Sequence, residues 1–383
     1  MQALNKVGAF TLLAVACLTI MVGCVIVPGL TEVAVNLGTP SAASWLVTVP
    51  SLGVVVFGPL AGRFIDKAGA HRALTWGLFL YGLLGSCGVF LHGLVPVMLD
   101  RLLLGGATAI VMSAGTTLIS TFYSGHARMK MIASQGMSIE LGGVIFLFIG
   151  GLLATIGWRL PFLLYLFAWL LLALHVMFVP EPCSEPGEQA DEPGEVTKPE
   201  STGKLKSVYF AAVFSMICFF TGIIVIPQHF HTMNIGAAET GYFLSFISLV
   251  AVFAAALMPR LVARLKESGT LYTAFICYAA AHLIFSSADG ITLFVAGGIL
   301  MGCGFGLSVP LVNHMTVEQS HAHVRGRNLA YLSMAIFSGQ FLSSFMEFIP
   351  GSSSVVFLGT ALIGIFVTVT LMLIHRSQRN TVI

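Results

Sequence analysis

The chain has 383 residues, 57% of them hydrophobic and only 9% charged, with a mean hydropathy of +0.93. That composition lies outside the range of soluble globular domains and places the chain in lipid. A formal net charge of +2 argues for no nucleic-acid partner, and seven cysteines with no C-x-x-C imply small buried hydrophobes rather than a disulfide framework.

A span needs about 20 apolar residues to cross roughly 30 Å of hydrocarbon. The first, 7–27, follows Lys6 and runs apolar through Cys24 to Val27 before Pro28 and Gly29, which suits a retained helix and not a cleaved lipoprotein-type leader. Further spans are expected at 43–62, 73–91, 96–120, 131–154 and 160–179, then at 207–227, 240–259, 270–287, 291–313, 328–347 and 355–374. The expected fold is an all-α integral membrane protein of twelve transmembrane helices in two six-helix bundles, 1–179 and 207–383. Between them, 180–206 carries five prolines and, from Glu181 to Glu200, seven carboxylates; such a segment buries too little apolar surface to fold and reads as a flexible acidic linker.

With the N-terminus in the cytoplasm, 16 of the 18 Lys and Arg fall in cytoplasmic segments, and only Arg101 and Arg159 fall elsewhere. The positive-inside rule therefore puts both termini in the cytoplasm of a multi-pass protein of the inner, plasma membrane. A weak internal repeat supports two halves: Pro59 and Gly69 recur as Pro259 and Gly269, with Lys266 where Asp66 stood. Duplicated helical halves around a midplane site are a recurrent transporter plan.

The most charged stretch, Gly62-Arg63-Phe64-Ile65-Asp66-Lys67-Ala68-Gly69-Ala70-His71-Arg72, resembles the G-x-x-x-D-[RK]-x-G-x-[RK]-[RK] signature of the major facilitator superfamily, in the expected loop between helices two and three. "DRLLLGGA", with Arg101 and Gly105, resembles the R-x-x-x-G signature of the fourth helix. "GWRLPF" at 157–162 resembles the turn between helices five and six, and the first two helices resemble those of the drug:proton antiporter branch. The fifth helix departs from the exporter pattern G-x-x-x-G-P-x-x-G-G. Gly142, Gly150 and Gly151 keep their places, but Phe146-Leu147 replace the central Gly-Pro and remove a helix-bending element. The resemblance covers the whole chain and implies alternating access. It also implies a conformational latch of Gly62, Asp66, Lys67, Gly69, His71 and Arg72, in which Asp66 meets the N-terminus of helix eleven near Asn328. An acid is stabilised there by the helix dipole, and the alternative is an ordinary charged turn.

Charges inside the bilayer are costly and mark function by default. Glu140 lies about nine residues into its helix, roughly 14 Å deep at 1.5 Å per residue. Gly136, Gly143 and Gly151 share its helical face, so it is expected to face protein, either as proton carrier or as contact for a cationic substrate. Arg101 begins a face continued by Gly105 and Thr108. It either lines a cavity or pairs with a carboxylate such as Asp100 to fasten helices. Gln340, Ser344 and Glu347 form an i, i+4, i+7 stripe expected to face the cavity. His229-x-His231 and His321-x-His323 are expected in loops, without the acidic or cysteine neighbours of a metal site; His282 either binds a proton or packs.

No H-E-x-x-H, G-x-S-x-G or P-loop pattern is present, so the sequence argues against an enzyme and an ATP-driven pump, and implies no cofactor and no metal. The expected function is proton-coupled export of an amphiphilic small organic molecule (a drug, metabolite or siderophore-like compound) by a monomer, its partners being substrate, protons and the lipid bilayer. Uptake of a polar metabolite and a non-transporting membrane sensor are the alternatives.

Overall fold

A computed structural model describes residues 4–181, 202–288, 290–321 and 324–380. Among these residues all regular structure is helical. In chain order the α-helices are α1 (Lys6–Cys24), α2 (Leu30–Asn36), α3 (Ala43–Ala68), α4 (Ala70–Cys87), α5 (Leu94–Phe122), α6 (Gly125–Ile156), α7 (Phe167–Phe178), α8 (Thr202–Thr232), α9 (Ala237–Ser286), α10 (Ile291–Glu318), α11 (Arg325–Leu342) and α12 (Ser353–Asn380). Most of the expected linker, 182–201, lies outside the described residues.

Eleven helical runs among the described residues are long and apolar enough to cross a membrane. The expected eighth and ninth spans form a single run, α9, of 50 residues, interrupted at Lys266 where φ is 63° and ψ 171°. The first run is longer than expected, and two spans whose bounds agree with expectation to within about two residues carry 3-10 segments. The first run continues past Val27 through Val27–Gly29 into α2. The sixth begins with a 3-10 turn, Leu160–Leu166, and α11 ends at Leu342, where Ser343–Phe348 tightens to 3-10 geometry.

Helices associate in lipid through close backbone approach, which only small residues permit. A Cβ on Gly105 of α5 would strike the Pro50 carbonyl and come within 2.8 Å of the Gly53 Cα of α3. On α6, Gly150 abuts Val25, and Gly151 lies against Gly241 of α9. α5 packs against α1, α3 and α4, and α9 against α10 and α12, with α8 against α10, α11 and α12; the contacts joining these sets include α6 with α9 and α3 with α11.

The turn between α3 and α4 rests on Gly69, at φ 81° and ψ 149°. Open space surrounds it, so backbone conformation alone requires the missing Cβ. The second copy of the repeat is offset from the sequence alignment. Gly269 is helical, and the break falls three residues earlier, at Lys266. By backbone, Lys266 corresponds to Gly69 and Ala263 to Asp66, so the second copy has neither the glycine nor the acid.

Candidate functional site

Glu140 is partly buried in the middle of α6 and makes no hydrogen bond or ion pair with any described residue. Its surroundings follow from the small residues on its face. A Cβ at Gly143, one turn on, would lie 3.7 Å from Ile20 of α1 and 3.8 Å from the Ser248 hydroxyl of α9. Ser245 Oγ of α9 donates to the Val144 carbonyl at 3.0 Å, and Cys17 Sγ of α1 reaches the Ser138 carbonyl at 3.0 Å. Gly136, one turn back, meets nothing within 4 Å. The acid thus lies one turn from the seam of α6 with α1 and α9, at Gly143, and one turn from the open position at Gly136.

Arg101 is elsewhere engaged. Its side chain is 1% exposed; Nη2 lies 3.2 Å from Asp100 Oδ2, and Nη1 donates to the Tyr165 hydroxyl at 3.2 Å. The guanidinium carbon sits 5.4 Å from the Phe162 ring centroid and 5.5 Å from that of Tyr165. Tyr165 in turn donates to the Val22 carbonyl of α1 at 2.7 Å. This geometry matches the fastening reading, in which a buried cation is neutralised and tied across α1, α5 and the 3-10 turn before α7. Gly105 and Thr108, on the same face, are buried; Thr108 bonds back to the Leu104 carbonyl.

The charged turn divides in two. Asp66 and Lys67 are exposed, and Asp66 pairs with no described residue; Gly62 borders open space. Asn328, its expected counterpart, is buried, donating from Nδ2 to Ser320 Oγ at 2.8 Å while its carbonyl accepts from Tyr209. No hydrogen bond or ion pair joins Asp66 to Asn328 among the described residues. His71 and Arg72 point to the end of α7 instead: His71 Nε2 is 3.0 Å from the Val179 carbonyl, Arg72 Nε pairs with Glu181 at 3.1 Å, and the His71 ring lies 4.3 Å from His175.

The stripe on helix eleven is corrected by the loss of α-helical geometry after Leu342. Gln340 and Ser344 are buried, with Ser344 Oγ bonded to the Phe341 carbonyl, whereas Glu347, on the 3-10 turn, accepts from Gln228 Nε2 of α8 at 2.9 Å. His229 and His231 are likewise corrected from loop to the last turn of α8, where His229 packs on Phe294 at 5.3 Å. His321 is in a loop; His323 lies outside the described residues. Among the described residues no cluster of His, Cys, Asp and Glu could hold a metal ion. His282 is buried, with Nε2 2.8 Å from the Cys218 carbonyl.

A buried hydroxyl triangle escaped the sequence reading. Ser215 of α8, Tyr278 of α9 and Ser308 of α10 lie 2.6 to 3.2 Å apart through their oxygens. The available signal was Tyr278, a phenol in mid-span whose hydroxyl needs a partner.

These features define a multi-pass helical membrane protein. The chain belongs to the Major Facilitator Superfamily, whose family model matches residues 11–344. It is similar to Multidrug resistance protein 1 of Bacillus subtilis, 27% identical over 218 residues that cover 56% of this chain and 49% of that one. It is also similar to Quinolone resistance protein NorA of Staphylococcus aureus, 27% identical over 124 residues, 32% of each chain. The chain thus aligns with less than half the length of these curated relatives. Among solved structures it matches a peptide transporter POT in complex with alafosfalin, with TM-score 0.76 and 13% identity over 97% of this chain and 94% of that one. It matches a D-xylose–proton symporter with TM-score 0.73 and 16% identity over 96% and 97%. At such identities these structures establish the fold alone.

Proposed function

We propose that the chain is a proton-coupled exporter of amphiphilic small organic molecules, with Glu140 as the coupling carboxyl group. The observation that carries this reading is the isolation of Glu140. Arg101 pairs with Asp100 and donates to Tyr165, Glu347 accepts from Gln228, and Glu140, beside the seam of α6 with α1 and α9, has no hydrogen-bond or ion-pair partner among the described residues. An acid with no fixed partner is free to gain and lose a proton as the helices move. The names of the two resistance proteins support export.

The supporting architecture is twelve spans, with α9 counted as two across Lys266, in two six-helix bundles, 1–179 and 207–383. The linker and both termini lie in the cytoplasm, and the protein works as an inner-membrane monomer by alternating access. The latch is formed by Gly62, Asp66, Lys67, Gly69, His71 and Arg72. Its closing brings Asp66 to the N-terminus of α11 and favours the outward-facing state.

The test is transport in proteoliposomes under an imposed pH gradient, screened over cationic, neutral and anionic amphiphiles. Glu140→Gln imitates the protonated form. The variant is expected to keep substrate binding and to lose gradient-driven transport, and wild-type binding is expected to release protons where the variant's does not. Loss of binding for cationic substrates alone identifies Glu140 as their direct contact. Normal transport at every pH overturns both roles.

A further inference from the structure

At the membrane face where α12 ends, a cavity of about 470 Å³ opens among α8, α9, α10 and α12, lined in part by Ser207, Lys266, Glu267, Ser268 and His375. A second, of about 190 Å³, shares Ser268 and His375 and adds Arg376. The larger volume falls within the range of small-molecule sites, roughly 300 to 1,000 Å³. We propose that this pair of cavities binds a phosphate-bearing anion, either the headgroup of an anionic lipid or a free phosphate compound.

Three observations converge on an anion. First, the lining combines cations with hydroxyls, the donor set that tetrahedral oxyanions take. Lys266 and Arg376 make no ion pair with any described residue, while the one acid, Glu267, has His314 Nε2 3.6 Å from Oε1. Second, the His375 ring is held by its hydrogen bond to Tyr272, 2.7 Å from hydroxyl to Nδ1, so one wall of the site is ordered. Third, Lys266 occupies a backbone conformation that glycine takes at the corresponding turn of the other half. Such strain in a side-chain-bearing residue is held by its surroundings and concentrates at ligand clamps; here it sets a lysine at the rim of the cavity. The preference for cationic residues at the cytoplasmic face accounts for their number. It accounts neither for a cavity among four helices nor for the conformation of Lys266.

The purified full-length protein in neutral detergent is heated with increasing phosphatidylglycerol, phosphatidylcholine or inorganic phosphate at constant ionic strength. Phosphatidylglycerol is expected to raise the unfolding temperature where phosphatidylcholine does not. If inorganic phosphate does the same, the ligand is free phosphate; if it does not, the ligand is a lipid. In the double variant Lys266→Gly, Arg376→Gln, half-maximal stabilisation is expected to need at least about fivefold more anion. The pair Arg260→Gln, Arg264→Gln, which removes equal charge from an exposed stretch of α9, is expected to behave as wild type. No anion-dependent stabilisation, or an equal loss in the control pair, overturns the proposal. Should the double variant fail to fold, native mass spectrometry of phosphatidylglycerol retained by wild type and by Arg376→Gln decides, and equal retention overturns it.

Discussion

Arg101 and Tyr165, 64 residues apart, form a relay in which the guanidinium donates to the phenol at 3.2 Å and the phenol donates to the Val22 carbonyl at 2.7 Å. The arrangement consumes the charge of Arg101 inside the protein and joins three segments, α1, α5 and the 3-10 segment before α7. Removing one member of a buried charged set leaves the others unpaired. Arg101→Ala is therefore expected to destabilise by about 3–5 kcal/mol, and Tyr165→Phe by about 1–3 kcal/mol. Thermal unfolding in detergent measures both, and wild-type stability in Arg101→Ala would contradict the fastening role. Gly88→Ala is expected to do similar damage, since its Cβ would collide with Arg101 Nη2 and lie 3.0 Å from Asp100 Oδ2.

Asp66 is exposed and unpaired while Asn328 is bonded to Ser320. Asp66→Asn is thus expected to leave the stability of this conformation within about 0.5 kcal/mol of wild type while lowering transport, because only the closed latch loses an interaction. Unfolding and transport are measured on the same preparation. Full transport sinks the latch; a large loss of stability shows a contact made in this conformation.

Gly69 and Lys266 hold the same kind of backbone, with glycine at one turn and lysine at the other. Gly69→Ala is expected to destabilise by about 1–3 kcal/mol. Lys266→Gly is expected to leave stability unchanged or raise it by a similar amount, as read by unfolding temperature in lipid-free detergent. A marked loss of stability in Lys266→Gly would mean that its side chain, and not its backbone, decides the turn.

Orientation is checked by single-cysteine labelling of intact cells with an impermeant reagent. Gly236→Cys, at the start of α9, is expected to react from outside, and the native Cys183 is expected to be protected until the membrane is opened. The reverse pattern would invert the topology and move the charged turn to the other face.

The membrane fold was legible because hydrocarbon imposes one demand on every segment: about 20 apolar residues with internally bonded backbone. Runs of that length locate themselves. Their ends mostly did so to within about six residues; the exceptions are the first run, which continues through the 3-10 turn Val27–Gly29 to Asn36, and the eighth and ninth, which form one helical run. Glu140 was visible as an acid inside an apolar run, and of the glycines on its face Gly143 and Gly151 lie against other helices while Gly136 does not. Lys266 escaped because nothing in its identity marks a left-handed backbone; Gly269, three residues on, was the natural choice and is helical.

The roles of the embedded charges depended on partners distant in the chain. Arg101 reads equally well as a cavity cation or a fastener until Tyr165 and Phe162 are placed beside it, and Glu347 stands in a helical stripe until Gln228 is found 2.9 Å away. Composition and local periodicity therefore determined that this chain crosses the membrane many times and where an acid is embedded. Tertiary structure alone decided which charges are neutralised and which is left over, because the cost of a buried charge is set by what packs against it across helices, a quantity no single segment contains.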